Sequence, residues 1–334
     1  MNHRRSPGGY HNRLKAGTLV LALLPGCAPL ATLPAPRVEG APGQPWRAER
    51  EAVVAQINSA RAEARLAPLA YDVTLERVGN THCEVLVTES GEGHFSRSGV
   101  PPYLRYFLAG GHGFHRENAT MYSSTLPLAQ GALGGILARS VASMLAEVPP
   151  DDGHRRALLD RDVTHIGVGL AARGGEVRMT HELATEAATA WSAPPSAAKP
   201  RTGMALAGKL ARQWRAAAAE VLWEPLPEPL SDIQARVIRS YSYPERRVLY
   251  QANRAESGGG PAAIPFTVDR FGNFALRWST GPAEGVEIAV ILAMREASSE
   301  LVPVAASATV VTVTGDLPPE LVLWRRLAVP IAHP

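Results

Sequence analysis

Between residues 47 and 183 the apolar side chains change from a helical spacing to a strand spacing, and that change limits the folds open to the chain. Residues 47–65 set Val53, Ile57, Ala60 and Ala64 on one helical stripe, with Arg and Glu opposite. Residues 74–88 repeat the pattern with Leu75, Val78, His82, Val85 and Leu86. Residues 127–148 repeat it with Leu133, Ile136, Leu137, Val141, Met144 and Leu145, although Gly131, Gly134 and Gly135 weaken its first half. Then Ile166, Val168 and Leu170 alternate, Gly174-Gly175 turns the chain, and Val177, Met179, His181 and Leu183 alternate again. A period of two on both sides of a Gly-Gly turn predicts a β-hairpin. Helices and a hairpin in one unit, residues 47–186, imply an α+β fold or a three-layer α-β-α sandwich.

Residues 187–203 (AATAWSAPPSAAKPRTG) read as a linker. Beyond them RRVLYQA, AIPFTVD, NFALRW, VEIAVILAM and ATVVTVTG read as short strands, with a hairpin around Phe271-Gly272-Asn273. Residues 204–334 are therefore expected to form an all-β domain, an immunoglobulin-like sandwich. No catalytic motif and no internal repeat is visible there. With 334 residues, 46% apolar and 19% charged, the chain can build two cores, and global disorder is excluded.

The first residues read as an export signal. Arg4, Arg5, Arg13 and Lys15 precede an apolar run, AGTLVLALL at 16–24, that is too short to span a bilayer as a helix. The run ends in Leu24-Pro25-Gly26-Cys27, which resembles a bacterial lipoprotein signal with Cys27 as the lipidated residue; the alternative is an ordinary signal peptide cut nearby. Residues 1–27 are the leader on this reading, and the Pro- and Ala-rich residues 28–46 are a tether from the membrane. The net charge of +3 misleads, because removing the four leader cations leaves about −1 on the remainder. Nucleic-acid binding is excluded on that ground. Cys83, the other cysteine, sits in an apolar helical stretch and is expected to be a buried, inert thiol, so no intrachain disulfide is expected.

Chemistry-bearing residues concentrate in two segments. His94 and Glu117 lie in GEGHFSRSGVPPYLRYFLAGGHGFHRENATMYS, and Glu147 and His154 in VASMLAEVPPDDGHRRALLDRDVTHIGVGL. If the fold gathers them, two imidazoles and two carboxylates suit a divalent metal or acid–base work. Neither HExxH nor a paired CxxC is present, and no GxSxG elbow accompanies Ser96 and Ser98. His112 and His115 read as further ligands or, more plainly, as exposed loop histidines. His181 shares its face with Val177, Met179 and Leu183 and reads as a satisfied core histidine, while Asp151-Asp152 reads as a cap for the turn presenting His154.

The order of these motifs resembles the CAP superfamily of SCP-like extracellular domains. The resemblance runs over about residues 50–186. It begins at Ile57-Asn58-Ser59-Ala60-Arg61 and Leu66-Ala67-Pro68-Leu69-Ala70-Tyr71-Asp72, with Leu75. It continues through His82, Gly93-His94-Phe95-Ser96, Gly99-Val100, Arg105, Gly110 and Arg116-Glu117-Asn118, to Gly153-His154-Arg155 and Ile166-Gly167-Val168-Gly169. The resemblance implies a three-layer α-β-α sandwich around an antiparallel sheet. It also implies a cleft holding His94, Glu117, Glu147 and His154, able to take zinc or another divalent cation. Two departures stand out. Arg116 replaces a glycine and is expected either to crowd its turn or to pair with a carboxylate; Met144 replaces an aromatic residue and is expected to open one cleft wall. Three functions follow as expectations: a cell-envelope binding module with an envelope or extracellular partner; a metal-assisted hydrolase with Glu117 or Glu147 as general base; and capture of an apolar ligand such as a sterol or fatty acid.

Overall fold

The structure is a computed structural model that describes residues 45–192, 194–254, 265–296, 298–303 and 308–328. The expected leader with Cys27, and nearly all of the expected tether, lie outside the described residues.

The helical stripes and the hairpin form where their spacing places them. Helix α1 is Arg47–Glu63, and a short strand β1 (Ala70–Tyr71) leads to α2 (Val73–Glu89). Asp72 caps α2 by accepting a hydrogen bond from the Leu75 amide at 2.7 Å. Then come α3 (Pro102–Leu108), β2 (Phe114–Tyr122), α4 (Ala132–Leu145), α5 (Gly153–Leu158), β3 (His165–Arg173) and β4 (Glu176–Thr185). Helix α4 starts after Gly131 (φ 77°), and its two inner glycines are accommodated within the helix. The strand order is β1-β3-β4-β2. Its three long strands are antiparallel, as the resemblance implies, but β1 pairs parallel with β3. One sheet face packs on α1 and α4 through Val53, Ile57, Leu137, Val141, Ile166, Val168 and Leu183. The other face meets α2, where Gly79 lies against Gly169: a Cβ on Gly169 would sit 2.2 Å from the Gly79 carbonyl carbon. The middle layer is thus enclosed by helices on both faces, with β2 at its edge.

Residues 187–203 do more than link. Ala188–Ser192 forms β5 and Ala197–Ala198 forms β6, because residues later in the chain, 203–210 and 308–312, supply strands for them to pair with. Next are β7 (Gly203–Leu210), β8 (Trp214–Glu224), α6 (Asp232–Val237), β9 (Glu245–Gln251), β10 (Phe266–Val268) and β11 (Asn273–Ser279). The chain ends with β12 (Gly285–Arg295), β13 (Leu301–Pro303), β14 (Ala308–Thr312) and α7 (Pro319–Arg325). One sheet has the order β10-β11-β7-β5; the other runs β6-β14-β12-β8-β9, with β13 on β12. Leu206, Phe274, Leu276 and Trp278 of the first share a core with Trp214, Val221, Ala289 and Ile291 of the second.

The β-rich region is not a bead on a string. A single core joins Leu75, Val78, Tyr103 and Leu104 to Leu222, Ile288, Val290 and Val311, and to Leu321 and Trp324 of α7. Helix α7 therefore returns to the first half of the chain and packs near α3.

Arg61, in the motif that opens the resemblance, ties the layers together. Its guanidinium is fully buried and donates to the carbonyls of Ala67, Leu158, Asp160 and Val163, at 2.8 to 3.2 Å. Arg61→Met would leave these buried carbonyls without a donor, at an expected cost of about 3 kcal/mol. Urea denaturation measures it, and an unchanged midpoint would contradict the assignment.

Candidate functional site

The four sequence-selected residues line one cleft of about 730 Å³. They enter it as two pairs, one from each side of edge strand β2. His94 lies in the loop after α2, and Glu117 projects from β2; His94 Nδ1 is 2.9 Å from Glu117 Oε1. Glu147 follows α4 and His154 opens α5; His154 Nδ1 is 2.5 Å from Glu147 Oε1, and the His154 amide donates to Glu147 Oε2 at 2.9 Å. Asn118, next to Glu117, donates to the His154 carbonyl at 3.1 Å and so links the two halves.

Glu117 is fully buried beside a fully buried cation. Arg105 Nη2 donates to Glu117 Oε2 at 2.5 Å, and Arg105 Nη1 donates to the carbonyls of His94 and Val100, each at 2.9 Å. Burial would push the Glu117 carboxyl up, but the Arg105 guanidinium and the His94 hydrogen bond hold it well below the usual carboxylate range. An ionised Glu117 only accepts hydrogen bonds, so His94 Nδ1 is the donor and Nε2 is the ring nitrogen left for the cleft. Glu147 is also held low: burial opposes this, but hydrogen bonds from His154 and Arg155 prevail. The carboxylates are thus arranged to orient the imidazoles.

Behind this front lies a second buried cluster that sequence reasoning missed. Glu182 faces Glu117 across the β2–β4 pairing. Burial, and then the Glu117 charge, raise the Glu182 carboxyl well above its ordinary value. His115 Nε2 lies 2.8 Å from Glu182 Oε2, and burial holds this imidazole down at about 3. His115 is therefore a buried neutral strand residue, contrary to the exposed loop histidine expected. His82 is likewise held at about 3 by burial, with Nε2 against the Gly93 carbonyl at 3.2 Å. His181 is buried as expected but is not satisfied, since neither ring nitrogen has a hydrogen-bond partner among the described residues.

Other expectations fare variously. Arg116 sits in a strand and pairs with Asp160, the second of the two outcomes anticipated. Met144 is buried in the α1–α4 core and opens no wall. Asp152 occupies the N-cap position of α5 without a side-chain cap bond and pairs with Arg156 at 3.4 Å instead. Ser96 and Ser98 bond each other at 2.8 Å, not His94. Cys83 is a buried free thiol, pushed up by burial.

The far wall of the cleft comes from the β-rich region, through Arg239 to Tyr243 between α6 and β9. The Glu117 amide donates to the Tyr241 hydroxyl at 2.6 Å. The Tyr243 hydroxyl accepts from the His115 amide and donates to the His115 carbonyl, both at 3.0 Å. Tyr241 packs edge-on against His94 with centroids 5.0 Å apart, and Tyr243 stacks on Phe114 at 4.4 Å and Tyr103 at 4.6 Å. These hydroxyls occupy the outward edge of β2 where a further strand would bind. The alternation Ser240-Tyr241-Ser242-Tyr243 is the signal in the sequence that could have suggested an extended strap.

The donors do not assemble into the four-residue metal shell anticipated for His94, His154, Glu117 and Glu147. Among the described residues no group of three or more His, Cys, Asp or Glu side chains could hold a metal ion. The reason is local: both oxygens of each glutamate are already engaged, leaving one imidazole nitrogen per pair.

The model of the CAP family, the cysteine-rich secretory protein family, matches residues 54–181. The chain carries a CAP domain of the SCP-like extracellular type. Among solved structures, an SCP-domain extracellular protein from Bacillus anthracis is 18% identical over 42% of this chain and 41% of that one, with a TM-score of 0.32. The chain thus spans about two fifths of that protein's length. An outer surface protein from Borrelia burgdorferi is 18% identical over 42% of this chain and 94% of that one, with a TM-score of 0.35. NaASP2, solved with Zn2+, is 11% identical over 41% of this chain and 79% of that one, with a TM-score of 0.30. No curated protein matches the sequence.

A neutral Glu182 has a measurable sign. A carboxyl raised in the folded state favours folding below its ordinary unfolded value and disfavours it as pH rises toward the folded value. Glu182→Gln is exempt from that loss. Its stability relative to the native chain should therefore rise as pH climbs above the ordinary carboxylate value, by up to about 1.4 kcal/mol per pH unit, in urea titrations. A pH-independent difference would mean that Glu182 is ionised.

Proposed function

We propose that the chain is an exported cell-envelope lipoprotein whose CAP domain is a binding module, with an envelope or extracellular partner entering the cleft between His94 and His154. One observation carries this reading: each imidazole is oriented by a carboxylate that is itself fully engaged, so the cleft presents two fixed imidazole edges and neither glutamate is free to act as the base. A general base needs a pKa near the working pH, and Glu117 lies far below it. Glu147, also lowered, is committed to His154 and Arg155. The hydrolase reading therefore has little to work with. Capture of a sterol or fatty acid fits less well too, because the charged side chains of Arg116, Arg156 and Arg239 stand in the lining beside His94 and His154. In this account the β-rich region, read as an immunoglobulin-like sandwich, holds the cleft wall.

Zinc or another divalent ion has only two imidazole nitrogens to bind, so it is held weakly. Calorimetry on the full chain should give zinc affinity weaker than micromolar. It should fall in the His94→Ala/His154→Ala double variant and stay unchanged in Glu117→Gln. Tighter binding that Glu117→Gln removes would make Glu117 a ligand and revive the metal-assisted reading.

Export and anchoring rest on the leader and Cys27. Metabolic labelling with palmitate in a bacterial host should mark the native chain and fail with Cys27→Ala, which moves from the membrane to the soluble fraction. Equal labelling of both proteins would remove the anchor from the account.

A further inference from the structure

A second hollow lies on the other side of Tyr241. It is lined by Phe95, Tyr103 and Tyr241 with Pro101, Pro227 and Glu224; its volume is about 220 Å³. Tyr103 and Pro101 come from the CAP domain, Glu224 from the end of β8 and Tyr241 from the strap, so the hollow exists only where the two regions meet. Tyr241 separates it from the His94 cleft and lines both.

Glu224 is the anomaly. Tyr103 donates to its Oε2 at 2.7 Å, while Oε1 is buried with no hydrogen-bond partner. Glu224 forms no ion pair among the described residues. The arginines of the adjoining surface, Arg246 and Arg247, pair with Glu220 and Glu287 instead. Burial raises the Glu224 carboxyl to about 7, the mark of an acid without a counter-charge.

We infer that this hollow is a binding site for a methylated ammonium group, with Phe95, Tyr103 and Tyr241 as the cage and Glu224 as the counter-charge. The faces of aromatic rings attract a cation, and a quaternary ammonium needs no hydrogen bonds from its host. That requirement separates it from a primary amine or a metal ion, which need several oxygen or nitrogen partners. Here the Tyr103 hydroxyl is already committed to Glu224, and Glu224 Oε1 is shielded from direct bonding. It still acts on a cation through space, strongly because the surroundings are apolar. The inference does not depend on the role proposed for the His94 cleft.

Choline is the probe, titrated into the full chain by calorimetry at constant ionic strength, beside its uncharged analogue with carbon in place of nitrogen. Choline should saturate one site, with the analogue about tenfold weaker or worse. Phe95→Ala should weaken choline about tenfold, and Glu224→Gln, which keeps an oxygen for Tyr103, should weaken it similarly. Equal affinity for choline and its analogue, no saturation with choline, or undiminished affinity in both variants would each overturn the assignment. Flotation with phosphatidylcholine vesicles then distinguishes the source of the ammonium. Flotation that Phe95→Ala abolishes marks a lipid headgroup; choline binding without such flotation marks a soluble ligand. Either result keeps the cage.

Discussion

The buried contact between Arg105 and Glu117 is the constraint around which this site is arranged. A carboxylate enclosed on edge strand β2 beneath the covering strap is tolerable only if a cation is enclosed with it. Arg105 supplies that cation from α3, and its remaining donors fix the carbonyls of His94 and Val100. Trp324 of the last helix lies over the guanidinium, 5.5 Å from ring centroid to Cζ. The orientation of His94 and the low pKa of Glu117 follow from this one placement, whereas Glu182 is raised by its burial and then by the Glu117 charge, against the pull of Arg105.

The same placement underlies the proposed binding role. A glutamate without Arg105 could act as a base or a metal ligand. With Arg105 it is a fixed anion that aims an imidazole. The second pair reaches the same state by other means, because backbone amides at the start of α5 share Glu147 with His154. Two oriented imidazoles on either side of a sheet edge, with two tyrosine hydroxyls from the strap covering part of that edge, suit recognition better than turnover.

Much of this was legible in the sequence. Spacing at three and four located α1, α2 and α4, and alternation located the β3–β4 hairpin, where Ile166, Val168 and Leu170 join the α1–α4 core while Gly167 and Gly169 lie against α2. The motifs selected His94, Glu117, Glu147 and His154, and all four line one cleft. What stayed hidden depends on contacts distant in sequence. Tyr241 and Tyr243 bond residues more than a hundred positions away, and the Ser-Tyr alternation around them suggests an extended segment without revealing what it covers. His115 read as a loop residue because Gly110, Gly111 and Gly113 precede it; only pairing with β4 makes it a buried strand residue. Residues 187–203 look like a linker by composition, yet β5 and β6 gain their partners from β7 and β14, which pattern alone does not reveal.

Residue-specific carboxyl NMR through an acid titration tests the central claim most directly. Glu117 should remain ionised well below the ordinary carboxylate range, with Glu182 titrating well above that range in the same spectra. Ordinary titrations of both Glu117 and Glu182 would contradict this. Arg105 would then not govern the cleft, and Glu117 would return as a candidate base.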